Sequence, residues 1–468
     1  MRSRTPSAPP EGALAPGSQL PPERLLAASL NVSRTTVVSA SQELESRGLV
    51  RGYVGRGTFV SAAPEPDGAP FAWRGKVAAP MLRSSEMLLR DLVRQATDPR
   101  LVSIAAGVPA LELFPAEAFG RALERTLSRH GAAVWGHGLT EGHPELRDRI
   151  ATRYGGHSDR VLVLAGAQQG IDLLARCLID PGDVVIVDRP GYLGAIHTFR
   201  EAGARLHGWD VMRCDLDELE DLLMRYRPKL IYTNPTFQNP TGWTMPLKTR
   251  REFLALAGRY RVPIVEDDTY RELTFSGSPP PSLHSLDEQS IVIYLNSFSK
   301  MLAPGLRLGW IAAAEPIVEH LAQIKQRADP QTQNLVQFVV AELFDDGTFE
   351  HHLAAVRNEH RRRSQTVAAA FARHVPPDAL KIAVPPAGGL YFWCRLRQGM
   401  TARSVLERAL NSLVAFVPGD AFYPDPAGLH ELRICFASIT PARSDEFARR
   451  LAASLSAPRT AARRSQPA

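Results

Sequence analysis

Short apolar runs that end in loops are the feature that most constrains the fold of this chain. They are Val161–Leu164, Leu230–Ile231, Val262–Val265 and Ile291–Leu295. Such runs, bounded by glycine, proline and polar residues, predict strands that are buried on both faces. The segments between them carry helical patterns. This alternation predicts an α/β fold with a mostly parallel central sheet covered by helices on both faces.

The run Ile291–Leu295 is followed by residues that can hold a cofactor. Ser297 and Ser299 precede Lys300, and Arg307 follows seven positions later. A lysine amine can form a Schiff base with an aldehyde, while hydroxyls and a guanidinium can bind a phosphate group. A lone lysine of this kind is more often an ordinary surface residue. The interpretation therefore depends on whether the other runs supply the rest of a site.

The other runs supply those parts. The loop Tyr232–Gly242 follows one strand, and the carboxylates of Asp267 and Asp268 end the next. A carboxylate there can keep a pyridine nitrogen protonated, which makes pyridoxal phosphate an electron sink. The glycine-bearing turn Ala165–Gly170 opens a helical pattern and predicts a phosphate cradle, because free amides and the helix dipole attract anions.

These motifs, in this order, make residues 81–455 resemble the fold-type-I, class I/II aminotransferases. The resemblance implies a PLP-dependent transferase fold, with a mostly parallel sheet plus a small α+β domain, and pyridoxal 5′-phosphate as cofactor. The implied catalytic residues are Lys300, Asp267 and Tyr270. The implied cofactor-binding residues are Ala167, Gln168, Tyr192, Asn239, Asp267, Tyr270, Ser297, Ser299, Lys300 and Arg307. The implied substrate-binding residues are Gly107, Asn239 and Arg433.

The resemblance also assigns individual roles. Asp267 is expected to pair with the pyridinium nitrogen, and only its spacing to Tyr270 favours it over Asp268. Tyr192 is expected to stack on the ring, and Arg433 to bind the substrate carboxylate as a bidentate fork. Each residue also has a structural interpretation, as a core tyrosine, a loop cap or a paired strand arginine. Their joint occurrence favours the site.

One position departs from the family pattern. Where the family usually has a tyrosine that reaches the phosphate across a dimer, five residues before Gly142, this chain has His137. Imidazole can also donate to phosphate. A homodimer is expected because the family's sites form at a subunit interface.

A second set of motifs lies at the front of the chain. Leu20–Leu30 predicts a short helix, Ser33 an N-cap, Arg34–Arg47 a second helix and Leu49–Val60 a hairpin. This is the layout of a winged helix-turn-helix. The phrases Leu-Pro-x-Glu-Arg-x-Leu-Ala, Val-Ser-Arg-Thr-Thr-Val and Gly-Arg-Gly-Thr-Phe-Val resemble the GntR family. Joined to an aminotransferase-like domain, they resemble the MocR type of regulator.

That resemblance implies DNA contacts from the second helix and the wing. The implied residues are Arg34, Thr35, Thr36, Arg51, Arg56 and Gly57. The family's first helix has no counterpart, since residues 1–18 are proline-rich and predict disorder. The winged domain is therefore expected to be truncated by a wrong start site, to be a decaying module, or to be completed by another surface.

Length and composition are compatible with this organisation. The 468 residues allow two or three domains, and the net charge of +6 suits a DNA-binding protein without proving it. The expected divisions are 1–18 disordered, 19–61 winged helix-turn-helix, 62–80 linker, 81–455 PLP domain and 456–468 basic tail. The four cysteines have no metal-like spacing, so no metal site and a reduced, cytoplasmic setting are expected. Neither a membrane span nor a secretion signal is predicted.

Two functions remain open from the sequence. The first is a PLP-dependent, DNA-binding transcriptional regulator with an aminotransferase-like effector domain. The alternative is an active class I/II aminotransferase that transfers an amino group between an amino acid and a 2-oxo acid.

Overall fold

The computed structural model describes residues 17–47, 49–53, 57–61, 102–105 and 107–455. The chain divides into two compact units, Met1–Leu82 and Arg83–Ala468. The expected linker 62–80, the expected tail 456–468 and Arg56 lie outside the described residues.

The front unit contains two helices and a hairpin. Its elements are α1 (Glu23–Leu30), α2 (Arg34–Ser46), β1 (Val50–Tyr53) and β2 (Gly57–Val60). The side chain of Ser33 caps α2 by accepting a hydrogen bond of 3.1 Å from the amide of Thr36. The strands pair antiparallel from Val50 opposite Val60 to Tyr53 opposite Gly57.

Part of the expected disordered start is paired with the hairpin. The amide of Gly17 donates to the carbonyl of Val60, and the amide of Val60 donates to the carbonyl of Ser18, both at 2.9 Å. The prediction of disorder was wrong for Gly17 and Ser18, because β2 offers free backbone groups that its partner strand β1 does not use. Residues 1–16 lie outside the described residues.

The larger unit is built on a seven-stranded sheet whose order is β4-β10-β9-β8-β7-β5-β6. Its strands are β4 (Val161–Leu164), β5 (Val184–Asp188), β6 (Arg205–Trp209), β7 (Leu230–Thr233), β8 (Ile264–Asp267), β9 (Val292–Ser297) and β10 (Gly309–Ala312). The pairs from β6 to β9 are parallel, and β10 runs antiparallel to both of its neighbours. The mostly parallel sheet is confirmed.

Helices precede, separate and follow the strands of this sheet. They are α3 (Ala116–His130), α4 (Pro144–Tyr154), α5 (Ala167–Leu178), α6 (Leu193–Glu201), α7 (Leu216–Tyr226), α8 (Leu247–Arg259), α9 (Leu283–Leu286), α10 (Phe298–Met301), α11 (Glu315–Ala328), α12 (Asn334–Asp345) and α13 (Thr348–His374). Every residue of β4, β5, β7, β8, β9 and β10 is buried, which explains why these strands consist mainly of apolar residues, with polar residues at the ends of β5, β7, β8 and β9.

A smaller antiparallel sheet, of order β11-β12-β15-β14, follows near the C-terminus. The remaining elements are β3 (Val102–Ser103), β11 (Leu380–Ile382), β12 (Tyr391–Leu396), β13 (Val414–Ala415), β14 (Val417–Pro418), β15 (Glu431–Cys435), α14 (Ala402–Asn411) and α15 (Ser444–Leu455). In the pairing of β12 with β15, Trp393 lies opposite Arg433 and Tyr391 opposite Cys435.

Within the described ranges, no helix is both long enough and apolar enough to cross a bilayer. The same ranges contain no cluster of histidine, cysteine and carboxylate side chains that can hold a metal ion.

Candidate cofactor and nucleic-acid sites

A cavity of about 670 Å³ lies in the larger unit, where the carboxyl ends of β7, β8 and β9 meet. Ligands of open α/β sheets bind at this edge because the loops that follow the strands converge there. The predicted residues that line it are Gly107, Ala167, Gln168, Tyr192, Asn239, Asp267, Tyr270, Ser297, Ser299, Lys300, Arg307 and Arg433.

Lys300 lies in the short helix α10, directly after β9. Its Nζ donates a hydrogen bond of 2.7 Å to the carbonyl of Gly107. Burial lowers the pKa of Lys300 to about 8, and the charge of Arg433 acts in the same direction. A lysine with this pKa supplies a substantial fraction of neutral amine near neutral pH, which is the nucleophilic form.

Hydroxyl and guanidinium groups gather at one end of the cavity. The Ser297 and Ser299 hydroxyls lie 2.9 Å apart, and Arg307 donates from Nη2 to the carbonyl of Ala165 at 2.7 Å. Helix α5 begins at Ala167 after Gly166, whose φ is +92°. A Cβ at Gly166 would lie 2.8 Å from Arg307 Nη2, so glycine permits the guanidinium to approach the helix N-terminus. This end is suited to a phosphate group.

Gln168 and Tyr192 form the adjoining wall. The Tyr192 hydroxyl donates to Gln168 Oε1 at 3.1 Å, and Gln168 Nε2 donates to Thr198 Oγ1 at 2.9 Å. Burial raises the pKa of Tyr192, so the hydroxyl stays protonated. The two side chains therefore hold each other in place on the wall.

Asp267 is the last residue of β8, and its side chain is buried. The Tyr232 hydroxyl donates to Oδ2 at 2.6 Å, and the amide of Thr269 lies 3.4 Å from Oδ1. Burial raises the pKa of Asp267, and the bonds from Tyr232 and Thr269 act against that rise. Asp268, the alternative carboxylate in the sequence, instead accepts from the Tyr294 hydroxyl at 3.3 Å and does not line the cavity.

Asn239, Tyr270 and Arg433 form a connected group on the opposite wall. Arg433 donates from Nη1 to Asn239 Oδ1 at 2.8 Å, and Asn239 Nδ2 donates to the Tyr270 hydroxyl at 3.2 Å. The Nε of Arg433 is buried and has no hydrogen-bond partner in the described part of the chain. A buried guanidinium with an unused donor is suited to a carboxylate ligand.

Tyr391 is a cavity residue that the sequence did not predict as part of the site. Its hydroxyl lies 3.1 Å from that of Tyr270, and its ring centroid lies 4.4 Å from Arg433 Cζ. A Cβ on Gly107 would collide with this hydroxyl. In the sequence it follows Gly388, Gly389 and Leu390, and in the structure it is the first residue of β12.

Tyr232 and Asn234 were missed as supporting residues. Besides the Tyr232 bond to Asp267, Asn234 Nδ2 donates to the Asp267 carbonyl, and Asn234 Oδ1 accepts from the amide of Asn239 at 2.7 Å. Both belong to the segment Tyr232–Gly242 that was already associated with the site, with Tyr232 inside β7 and Asn234 directly after it. Nothing in one sequence identifies which of its polar groups contact Asp267.

The front unit presents five of the predicted DNA-binding residues at its surface, and the sixth, Arg56, lies outside the described residues. Arg34, Thr35 and Thr36 are exposed at the N-terminus of α2, where Arg34 also pairs with Glu23 at 3.3 Å. Arg51 is exposed on β1. Gly57 begins β2 with φ +100°, a conformation that favours glycine.

His137 is exposed and does not line the described cavity. Its neighbour Gly138 donates its amide to Gln331 Oε1, which ties this loop to the segment before α12.

The cavity fits pyridoxal phosphate by the chemistry of its donors. The serine hydroxyls, Arg307 and the start of α5 match a phosphate group, Asp267 matches a pyridinium nitrogen and Lys300 matches an aldehyde carbon. Pyridoxal phosphate is the cofactor of this fold family.

Comparison with known proteins identifies both parts of the chain. Residues 105–451 match the model of aminotransferase class I and II, and residues 10–60 match that of bacterial regulatory proteins of the gntR family. A solved structure of LysN, the alpha-aminoadipate aminotransferase of Thermus thermophilus, complexed with N-(5′-phosphopyridoxyl)-L-leucine, is 36% identical to this chain. It aligns with a TM-score of 0.77 over 82% of this chain and 98% of its own.

Two regulators match most of the chain. YisV of Bacillus subtilis, an uncharacterized HTH-type transcriptional regulator, is 30% identical over 92% of this chain and 90% of its own length. MocR of Rhizobium meliloti, a probable rhizopine catabolism regulatory protein, is 32% identical over 81% of this chain and 77% of its own. With its GntR-family segment placed ahead of a class I and II aminotransferase domain, the chain belongs to the MocR-type transcriptional regulators.

Proposed function

We propose that the cavity binds pyridoxal phosphate together with an amino compound, and that its occupancy changes how the winged helix-turn-helix binds DNA. The observation that carries the proposal is the meeting of Lys300, Asp267 and Arg433 in one cavity of a chain that also has a GntR-family segment. A homodimer acting in the cytoplasm is part of the proposal.

Bound pyridoxal phosphate supplies an aldehyde and a protonated ring that withdraws electrons from the carbon next to the ligand's amino nitrogen. Asp267 keeps that ring nitrogen protonated, since its buried carboxylate gains most from a cationic partner. Tyr192 packs on the ring, and Asn239 and Tyr270 donate to its 3-oxygen. The phosphate is held by Ser297, Ser299, Arg307 and the Ala167–Gln168 turn.

The amino compound is held by Arg433 and positioned beside Gly107. Arg433 binds its carboxylate as a fork, and Gly107 admits the Tyr391 hydroxyl, with which a Cβ would collide. Because burial lowers its pKa, Lys300 would have a fraction of neutral Nζ that could bond to the cofactor's aldehyde carbon with loss of water. Once the amino compound had displaced it from that carbon, the same Nζ would accept a proton from the ligand's α-carbon. Binding and proton transfer therefore use neighbouring groups of a single cavity.

DNA is bound by the exposed N-terminus of α2 and by the wing. Arg34, Thr35 and Thr36 enter the major groove, and Arg51, Arg56 and Gly57 follow the backbone at the wing. Phosphate contacts supply most of the affinity and make it dependent on salt. Only part of this set reads bases.

The test is fluorescence anisotropy of the full-length protein with its own upstream DNA, with and without pyridoxal phosphate and a panel of amino acids. A random duplex of equal length, a salt series and Arg34→Ala serve as controls. We expect tighter binding to the upstream DNA than to the random duplex, and an affinity that changes with occupancy of the cavity. Lys300→Ala should lose both the visible absorbance band and the effect of amino compounds on DNA binding. Equal, salt-sensitive binding to both duplexes contradicts the proposal.

An active aminotransferase is the second candidate, and one observation favours it. All three predicted catalytic residues line the cavity, as they must for turnover. Conversion of an amino acid and a 2-oxo acid by the wild-type protein, lost in Lys300→Ala, supports this function. A stable visible band with no product supports sensing alone.

A further inference from the structure

Four side chains that line the cavity contact one another in a closed ring. Arg433 contacts Asn239 at 2.8 Å, Asn239 contacts Tyr270 at 3.2 Å, Tyr270 contacts Tyr391 at 3.1 Å, and the Tyr391 ring returns to Arg433 at 4.4 Å. Tyr391 is the member to which the proposed function gives no role.

The strand register explains how Tyr391 reaches both neighbours. Tyr391 is paired with Cys435, and Arg433 with Trp393, so Tyr391 and Arg433 are diagonal neighbours on one face of the β12–β15 pair. An aromatic side chain spans that diagonal. Its ring covers the guanidinium, while its hydroxyl extends to Tyr270.

We propose that Tyr391 is a positioning residue whose two parts serve two ligands: its ring holds Arg433 for the carboxylate of the amino compound, and its hydroxyl holds Tyr270 for the cofactor. The inference rests on the proposed function of the cavity. It extends that function by linking the ligand-binding arginine to the cofactor-binding tyrosine through one side chain.

The ring acts on Arg433 together with a second ring. Phe422 lies 4.9 Å from the Arg433 Cζ, so the guanidinium contacts two aromatic rings while both Nη atoms donate to protein acceptors. Cation–π contacts of this kind are strongest where water is excluded, and Arg433 is only 4% exposed. The rings therefore fix the plane in which the fork meets a carboxylate.

The hydroxyl acts on Tyr270. When Tyr270 donates its own proton to the cofactor's ring oxygen, the Tyr391 hydroxyl must be the donor in the bond between them. Donation to the Tyr270 oxygen makes Tyr270 a stronger donor in turn. Without this donation from Tyr391, Tyr270 is a weaker donor and more negative charge stays on the cofactor's ring oxygen. That charge would hold the proton on the neighbouring Lys300 nitrogen more tightly, so the proton would be released at a higher pH.

Other groups near this pair stay unchanged when only the Tyr391 hydroxyl is removed. The charged and titratable groups near the two hydroxyls include Asp267 from β8, Arg433 and Cys435 from β15 and Tyr192 from the residue before α6, with Lys300 lining the same cavity. A change in the pH at which the visible band shifts is therefore attributable to the hydroxyl.

The experiment separates the two parts with Tyr391→Phe, which keeps the ring, and Tyr391→Leu, which removes both parts. The cofactor-loaded full-length proteins are titrated with pH, following the visible band, and with formate, the smallest carboxylate. In Tyr391→Phe we expect the transition of the band to move up by about half a pH unit, with formate affinity within about twofold of wild type. In Tyr391→Leu we expect formate to bind about three- to thirtyfold more weakly.

Phe422→Leu is the matched control, since it removes a ring from Arg433 but no hydroxyl. It should weaken formate binding and leave the pH of the transition unchanged; it also replaces Tyr391→Leu if that variant does not fold. Equal loss of formate affinity in Tyr391→Phe and Tyr391→Leu, or an unshifted band in Tyr391→Phe, overturns the inference. A band that survives Lys300→Ala overturns the proposed cofactor site instead, so the two failures are distinguishable.

Discussion

The depressed pKa of Lys300 gives a quantitative prediction for uptake of pyridoxal phosphate by the cofactor-free protein. Burial lowers this pKa from 10.5 to about 8. Only the neutral amine attacks the aldehyde, so at about pH 7 the protein should react roughly 300-fold faster than a lysine of ordinary pKa would in the same place. The rate should rise about tenfold per pH unit below pH 8 and then level off.

Stopped-flow absorbance across a pH series measures this rate directly. In Arg433→Met the plateau should begin at a higher pH, because the Arg433 charge lowers the Lys300 pKa. Arg449→Met, which changes an exposed arginine of α15, should leave the profile unchanged. A rate that continues to rise tenfold per unit to about pH 10 in the wild-type protein refutes the argument, since it is the behaviour of an unperturbed lysine.

Three further predictions concern single substitutions. Gly107→Ala places a methyl group against the Tyr391 hydroxyl, and formate affinity should fall about tenfold in calorimetric titrations; an unchanged affinity contradicts the placement of Gly107. Arg307→Gln removes a charged donor from the phosphate end, and cofactor affinity measured by equilibrium dialysis should fall about tenfold, whereas full retention argues against phosphate at this position. Ser33→Ala removes the cap of α2 and should reduce its local stability by about 1 kcal/mol, seen as faster hydrogen exchange of the α2 amides than in the control Ser39→Ala.

The residues that could be predicted from the sequence are those whose positions follow from local pattern. Lys300, Asp267 and Asn239 each lie in the segment that follows a buried apolar run, and parallel strands bring the ends of such runs to one edge of a sheet. The strand-to-helix turn at Gly166 could be recognised for the same reason. The choice of Asp267 over Asp268 relied on spacing. The two side chains have different surroundings because successive side chains point to opposite faces at the end of β8, where Asp267 is the last strand residue and Asp268 follows it.

The supporting residues could not be predicted, because their contacts join distant parts of the chain. Tyr232 reaches Asp267 from the neighbouring strand, and Tyr391 reaches Tyr270 from the smaller sheet. The pairing of Ser18 with β2 was likewise hidden, since backbone pairing leaves no mark in a proline-rich segment. These contacts depend on register and packing, which one sequence does not specify.

The sequence by itself determined the kinds of group present and the fold that gathers them: apolar runs buried on both faces require a parallel sheet, and its geometry brings the ends of the strands together. The tertiary structure alone decided how those groups contact one another. The register of β12 against β15 places Tyr391 diagonally across from Arg433, and a slip of one residue would turn the tyrosine to the other face of the sheet. Register depends on long-range backbone pairing and on the packing of both faces, so only the folded chain sets it.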